Sequence, residues 1–193
     1  MLGLKLPTDP RWAALAAKGL PEILTDHAWC EQKAASHCIS LIQKYPEKTT
    51  LVNKLTPVVS EEWSHFRMVL EKIKERGFTL GRQRKDRYVG GLHEELNRKD
   101  SSGDRLLHQL LVCALIEARS CERFRLLHEH LEEESLKKFY YDLMVSEAGH
   151  YRLFLDLAEE YYPAGKVKSC WKEWLECEKK IIGSLEVRGD LIH

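Results

Sequence analysis

Two copies of the pattern Glu-x-x-His constrain this chain more than any other feature of its sequence. The copies are Glu62-Trp-Ser-His65 and Glu147-Ala-Gly-His150, and each lies in a stretch with the apolar period of a long amphipathic helix. Residues three apart lie on one face of a helix, so each copy directs a carboxylate and an imidazole toward the same place. One such pattern arises easily by chance in a glutamate-rich helix, whereas two copies on apolar faces require an explanation.

A glutamate on the preceding helix accompanies each copy. Glu31 lies 31 residues before Glu62, and Glu117 lies 30 residues before Glu147, so the same two-helix unit occurs twice. Taken alone, Glu31 could face solvent and His65 could be an ordinary core histidine. Four carboxylates and two imidazoles that face the core of a four-helix bundle are, however, the ligand set of a di-iron or di-manganese site. The sequence therefore predicts six metal ligands and catalytic residues: Glu31, Glu62, His65, Glu117, Glu147 and His150.

The apolar pattern predicts six helical segments and one long connection. The segments are a short helix over 7–20, helices over 21–45, 47–76 and 103–130, a helix that follows the acidic turn 132–134 and stops at Pro163 and Gly165, and a last helix over 168–187. Trp12 and Leu15 should hold the first helix against the others, and Pro57 should kink or restart the helix over 47–76.

Residues 77–101 interrupt the helical pattern with repeated glycines and predict a long loop that crosses the bundle. The expected fold is all-α, a ferritin-like four-helix bundle with this long crossover and additional N- and C-terminal helices. At 193 residues the chain fits a single domain, 1–193.

The predicted ligand set suits iron or manganese better than zinc, and it leaves positions open for dioxygen or peroxide. Four carboxylates also balance the charge of two divalent ions. The six cysteines show no Cys-x-x-Cys spacing, which argues against a zinc ribbon, a thioredoxin-type site or a rubredoxin module. We expect reduced thiols that pack as small core residues.

Four strings carry a resemblance to a known family: Pro7-Thr-Asp-Pro-Arg-Trp12, Glu61-Glu-Trp-Ser-His65, Ile116-Glu-Ala-Arg-Ser-Cys-Glu-Arg123 and Ser146-Glu-Ala-Gly-His150. With them the chain resembles, over nearly its whole length, the tRNA hydroxylases that add oxygen to the isopentenyl group of 2-methylthio-N6-isopentenyladenosine. These belong to the ferritin-like di-iron superfamily. The Glu-x-x-His strings suit any di-iron bundle, whereas the opening string and the string from Ile116 to Arg123 are specific.

The resemblance implies a monooxygenase with two iron ions as cofactor, dioxygen as co-substrate and an external electron donor. Its substrate would be the modified adenosine next to the anticodon of tRNA, and its redox partner is not encoded here. The resemblance also implies that Glu62 and Glu147 bridge the metals, with Glu31 and Glu117 terminal.

Other classes share the ligand set. A ferritin-like ferroxidase or iron-binding protein uses similar residues, and a manganese catalase would act on peroxide; a purely structural bundle would have to bury four carboxylates without metal. Neither storage nor ferroxidase activity needs a 25-residue basic crossover. No apolar run approaches the ~20 residues that span a bilayer, so we expect a cytoplasmic protein without membrane association, as a monomer or small homo-oligomer.

Contact with tRNA needs a basic surface on a chain whose 30 Lys and Arg equal its 30 Asp and Glu. If metal occupies four Glu, 30 − 4 leaves 26 acidic residues against 30 basic ones, so a modest basic patch is allowed. The candidates for phosphate contact are Arg82, Arg84, Lys85 and Arg87, with Lys166 and Lys168 as a second patch, although a solvated surface explains them equally well. Space for the prenyl chain, or ordinary close packing, would explain the small residues Ala34, Ala35, Ala114 and Ala118.

Overall fold

A computed structural model describes residues 2–99 and 103–193. Within these residues the chain forms seven α-helices and no strand: α1 Arg11–Lys18, α2 Leu20–Lys44, α3 Thr49–Glu75, α4 Arg87–Arg98, α5 Arg105–His130, α6 Glu134–Tyr161 and α7 Ala164–Ser184. The chain divides into two compact units. The α5/α6 unit comprises Met1–Ala13, Asp86–Val187 and His193, and the α2/α3 unit comprises Ala14–Lys85 and Arg188–Ile192. The expectation of a single domain stays a prediction.

In the α2/α3 unit, two long helices joined by residues 45–48 pack against each other as a hairpin. Their buried positions recur every three or four residues, which is the spacing of an inward helix face. On α3 these positions are Leu51, Leu55, Val58, Glu62, His65, Val69 and Ile73. On α2 they include Leu24, Ala28, Glu31, Ala35, Cys38 and Leu41. Helical spacing also predicts that Ile42 on α2 and Phe66 on α3 face inward, and both predictions are wrong, because the two side chains are only half-buried and Leu41 takes the core position expected for Ile42.

Of the two outcomes expected at Pro57, a kink or a restart, the restart is wrong, because α3 runs through Pro57 without interruption. Proline removes the hydrogen bond to the carbonyl four residues earlier, here that of Asn53. Both Pro57 and Asn53 are exposed, so water can solvate the carbonyl that loses its partner. The prediction for Leu15 is also wrong: its side chain is 42% exposed, whereas Trp12 is buried as expected.

In the α5/α6 unit, α5 and α6 are joined by residues 131–133, and α7 packs on α5. The predicted inward positions of both helices are buried except His128, which is half-buried. Burial of α5 nevertheless extends round the whole helix from Leu106 to Phe124, with Ile116 alone half-buried. A helix buried on every side must enclose its polar residues too. The expected last helix over 168–187 begins earlier, at Ala164, so Gly165 lies inside α7.

The crossover over 77–101 is not a long uncovered loop, because α4 occupies half of it. The carboxylate of Asp86 accepts a hydrogen bond of 2.9 Å from the N–H of Val89 and so caps the helix. Gly91, which the sequence suggested as a helix breaker, lies against Ile181 of α7, whose Cγ2 would be 3.1 Å from an added Cβ. Apolar burial compensates for the weak helix propensity of glycine. The buried side chains are Tyr88, Leu92 and Leu96.

Candidate metal centre

The α2/α3 hairpin brings three of the predicted ligands together. Glu31, Glu62 and His65 are buried, with exposed fractions of 4%, 1% and 6%. One ligand atom from each lies within 4.8 Å of the others. Nδ1 of His65 is 3.5 Å from Oε2 of Glu31 and 3.6 Å from Oε2 of Glu62. Glu61, which competes with Glu62 in the sequence, is exposed and faces away from this triad.

The α5/α6 hairpin holds the other three. Glu117, Glu147 and His150 are buried, again with one ligand atom from each within 4.8 Å of the others. Nδ1 of His150 is 3.7 Å from Oε2 of Glu147, nearly the distance found in the first copy. The two Glu-x-x-His patterns therefore have the same local geometry, as expected for residues three apart on regular helices.

The donor sets fit a metal ion. Separations of 3.5 to 3.7 Å between the imidazole and carboxylate atoms exceed those of ordinary hydrogen bonds. Two ligands that each lie about 2.1 Å from one ion are separated by about 3 to 4 Å, depending on the angle between the bonds. Oxygen and imidazole ligands without thiolate suit iron or manganese.

The cysteines beside the triads do not add to the ligand set. Burial raises the pKa of Cys38 to about 12, and the neighbouring charge of Glu62 contributes to this rise. Burial likewise raises the pKa of Cys121 to about 11, with the charge of Glu147 as the next cause. In the described part of the chain, neither thiol belongs to the clusters of ligand atoms that the two triads form. None of the six cysteines forms a disulfide.

Sequence reasoning missed His27, which holds the carboxylate of Glu31. His27 is fully buried, and its Nε2 lies 2.6 Å from Oε1 of Glu31, four residues further along α2. Because an ionised carboxylate only accepts hydrogen bonds, this Nε2 donates. The other oxygen, Oε2, is the one that lies near His65. His27 thus fixes the orientation of a predicted ligand, and the four-residue spacing was the signal that could have revealed it.

A second missed feature is a fully buried arginine on the helix that carries Glu117. The five N–H groups of Arg119 each make one hydrogen bond. Nε bonds Glu178 at 3.1 Å, Nη1 bonds Oγ1 of Thr8 at 3.1 Å, and Nη2 bonds the carbonyl of Leu6 at 2.9 Å. Short contacts from Nη1 to Glu122 and from Nη2 to Glu178 complete the set. We call these residues the Arg119 network.

The Arg119 network joins the two strings that carry the family resemblance most specifically. Glu122 accepts hydrogen bonds of 2.6 Å from Oγ1 of Thr8 and 3.2 Å from its backbone N–H. Arg123 lies over the ring of Trp12, 4.9 Å from the centroid, and burial lowers its pKa to about 10. The opening residues are therefore bound to α5 beside Glu117, which fixes the rotation of the helix that carries this ligand.

The predicted phosphate contacts differ among themselves. Arg82, Lys85 and Arg87 are exposed. Arg84 instead donates from Nη2 to the carbonyls of Glu22 and Asp190, so its side chain anchors the segment that precedes α4. In the second patch, Lys166 pairs with Asp104 at 2.6 Å, and the exposed Lys168 lines a cleft between α6 and α7. Of the four small residues, Ala34 is half-buried, and Ala35, Ala114 and Ala118 are buried.

Comparison with known proteins assigns the family. The profile of the family described as tRNA-(MS[2]IO[6]A)-hydroxylase (MiaE) matches residues 2–191. The chain belongs to this family. A MiaE relative from Pseudomonas putida, named tRNA 2-(methylsulfanyl)-N(6)-isopentenyladenosine(37) hydroxylase, is 38% identical and covers 94% of this chain and 87% of its own. A protein of the same name from Salmonella typhimurium is 28% identical, and the aligned region covers 81% of this chain and 75% of that protein.

A solved structure shares the fold of this MiaE member. It is described as Protein 43 with aldehyde deformylating oxygenase activity from Synechococcus, and it is 34% identical, with a TM-score of 0.89 over 97% of this chain and 92% of its own. The predicted family and the predicted all-α ferritin-like fold are confirmed. None of the helices in the described part of the chain is long and apolar enough to cross a membrane.

Proposed function

We propose that this protein hydroxylates the isopentenyl group of 2-methylthio-N6-isopentenyladenosine in tRNA, with dioxygen as the oxidant and two iron ions bound per chain. The observation that carries the proposal is the pair of buried Glu, Glu, His triads, one on each hairpin. The 38% identity to a relative named as this hydroxylase supports the substrate. The proposed iron ligands are Glu31, Glu62, His65, Glu117, Glu147 and His150.

The chain's own residues perform three tasks in this proposal. Each triad contributes two carboxylates, which balance the charge of one divalent ion in a core that excludes water. His27 orients the carboxylate of Glu31 through its hydrogen bond of 2.6 Å. The Arg119 network holds the helix that carries Glu117. The iron ions, when bound, supply the activation of dioxygen.

Electrons come from an external donor in this proposal, and the protein acts in the cytoplasm as a monomer or small homo-oligomer. Phosphate contact falls to Arg82, Lys85 and Arg87, which are exposed on the crossover. Arg84 is removed from this set because its guanidinium holds the carbonyls of Glu22 and Asp190.

The decisive experiment incubates the iron-loaded protein with dioxygen, a reductant and tRNA that carries the modified adenosine, then measures the nucleosides by mass spectrometry. We expect one added oxygen atom per modified adenosine, and none without dioxygen. Glu62→Ala should lose both iron and product. The matched variant is Glu61→Ala, which changes the adjacent and exposed glutamate and should keep both. Full hydroxylation by Glu62→Ala would contradict the proposed ligand set.

The similarity to an oxygenase described by its aldehyde deformylating activity favours a second candidate, the oxygen-dependent deformylation of an aldehyde. The same iron-loaded protein incubated with an alkyl aldehyde distinguishes the two, because only the second candidate releases a one-carbon product. Vigorous oxygen evolution from peroxide by the manganese form would favour a catalase. Uptake of many iron ions per chain into a large cage on gel filtration would favour a ferroxidase or storage protein.

A further inference from the structure

Three aromatic rings form a row on the surface of the α2/α3 unit. Trp63 is 49% exposed. Its ring centroid lies 5.0 Å from that of Phe66, which in turn lies 6.4 Å from that of Trp29 on the neighbouring helix. Phe66 and Trp29 are half-buried, so the row consists of one exposed ring and two partly exposed ones. Single exposed aromatic residues are common on protein surfaces, whereas a group of adjacent rings that stays partly exposed is a candidate binding surface. We call Trp29, Trp63 and Phe66 the aromatic row.

A basic segment is fastened to α2 directly beside this row. The indole N–H of Trp29 donates to the carbonyl of Gly81 at 2.9 Å. The N–H of Gly81 lies 3.4 Å from Oγ1 of Thr25, and an added Cβ would lie 3.2 Å from Cγ2 of the same threonine. A side chain at this position would therefore have to displace Thr25 by a few tenths of an ångström. Arg82 follows Gly81 directly and is exposed, so its backbone lies next to the row.

The helix that carries Trp63 supplies a further positive charge. Arg67 is exposed and follows Trp63 by four residues on α3, so the two side chains are neighbours on the helix face. Ser60 and Val59, one turn before Trp63, are uncharged, and the first carboxylate on this face is Glu71, one turn beyond Arg67. Arg67 and Arg82 therefore place positive charge beside the row, and the exposed Lys85 lies three residues beyond Arg82 on the same segment.

We propose that the aromatic row is a stacking platform for unpaired bases of RNA, with Arg67, Arg82 and Lys85 meeting the adjacent phosphates. Flat aromatic faces bordered by cations are the combination with which proteins hold single-stranded nucleic acid. The inference rests on the proposed function and deepens it, because the substrate base of that function lies beside the unpaired anticodon. Trp63 faces away from Glu62 and His65 on α3, so the row takes bases that flank the target rather than the target itself.

The test compares variants of Trp63 in the iron-loaded protein for binding to an RNA hairpin that reproduces the anticodon stem and loop. Trp63→Leu keeps apolar bulk without the flat ring and should weaken binding by roughly 5- to 150-fold, whereas Trp63→Phe should retain most of the affinity. Tyr141→Leu, a control at an aromatic residue that is 47% exposed on α6, should bind as the unaltered protein does. Iron content should be equal in all variants.

Salt dependence tests the cations separately. Replacing Arg67, Arg82 and Lys85 by Gln should flatten the slope of log affinity against log salt by about 0.7 for each phosphate that the protein no longer neutralises. Unchanged RNA affinity in Trp63→Leu would overturn the inference. If, in addition, a redox protein reduces the iron of this variant more slowly than the iron of the unaltered protein, the row is a docking surface for the redox protein instead. The proposed function is tested by a different measurement, which is whether tRNA treated with the unaltered protein gains an oxygen atom.

Discussion

Replacing Arg119 with Met should destabilise the metal-free protein by about 3–5 kcal/mol, because removal of one partner leaves buried charge uncompensated. The side chain is fully buried, and all five of its N–H groups make hydrogen bonds. Methionine fills a similar volume but donates none of them. The variant also leaves Glu122 and Glu178 without Arg119, and both of these carboxylates are buried. Among the residues that the structure describes, Arg119 is the only cation that pairs with both of them.

Urea unfolding followed by far-ultraviolet circular dichroism measures this loss. With a slope of about 2 kcal/mol per molar urea, the midpoint should fall by roughly 1.5–2.5 M. The matched control is Arg125→Met on the same helix, where the guanidinium pairs with Glu129 at 2.7 Å and both side chains are about a third or more exposed. That variant should lose only about 0.2–1 kcal/mol, since water screens an exposed pair.

A double-mutant cycle assigns the loss to the ion pair rather than to altered packing. The variant that combines Arg119→Met with Glu178→Gln should lose less than the sum of the two single variants, by about 0.5–3 kcal/mol. Additive losses, or an Arg119→Met variant as stable as Arg125→Met, would refute the reasoning.

Three further predictions follow from the buried groups. His27→Leu should lower iron affinity about 10- to 100-fold in chelator competition, since it frees the carboxylate of Glu31; equal affinity would exclude this positioning role. A thiol reagent at about pH 8 should leave Cys38 unmodified in the folded protein, because burial raises its pKa to about 12, and peptide mass spectrometry would detect the contrary. The cysteines that should react are the half-buried ones, Cys30, Cys170 and Cys177. Burial raises the pKa of Glu178 above 4.5, so the folded state binds its proton more tightly than the unfolded state does. As the pH rises from 4.5 through the folded pKa, the protein should therefore lose stability relative to Glu178→Gln, and parallel urea midpoints would contradict this sign.

The long helices and the grouping of the Glu, Glu, His triads follow from local spacing, which is why the sequence predicted them. On α3 the inward positions recur every three or four residues, and Glu62 and His65 fall on that recurrence. The triads need only this periodicity and a short turn that makes neighbouring helices pack together. The role of His27 is equally local, but a histidine four residues before a glutamate is also the spacing of an ordinary solvated pair, so spacing alone does not single it out.

The Arg119 network and α4 depend on contacts that no local pattern contains. Charged residues are rarely fully buried unless paired, and the partners of Arg119 lie 59 residues away at Glu178 and 111 residues away at Thr8. Gly90 and Gly91 lower the helix propensity of α4, but the cap at Asp86 and the packing of Gly91 against Ile181 outweigh that effect. Tertiary contacts therefore decided both features.

Two of the seven core positions of α3 belong to Glu62 and His65, so if these residues bind iron as proposed, the supply of iron would influence how much of the protein persists in a cell. A carboxylate and an imidazole contribute little apolar burial. Without bound metal, the hairpin therefore lacks the stabilisation that leucines at the same positions would provide. A metal ion whose free concentration is 100 times its dissociation constant stabilises the folded state by about 2.7 kcal/mol. Differences of this size change the fraction of chains exposed to proteases, so starvation for iron would shorten the lifetime of the enzyme without any separate sensor.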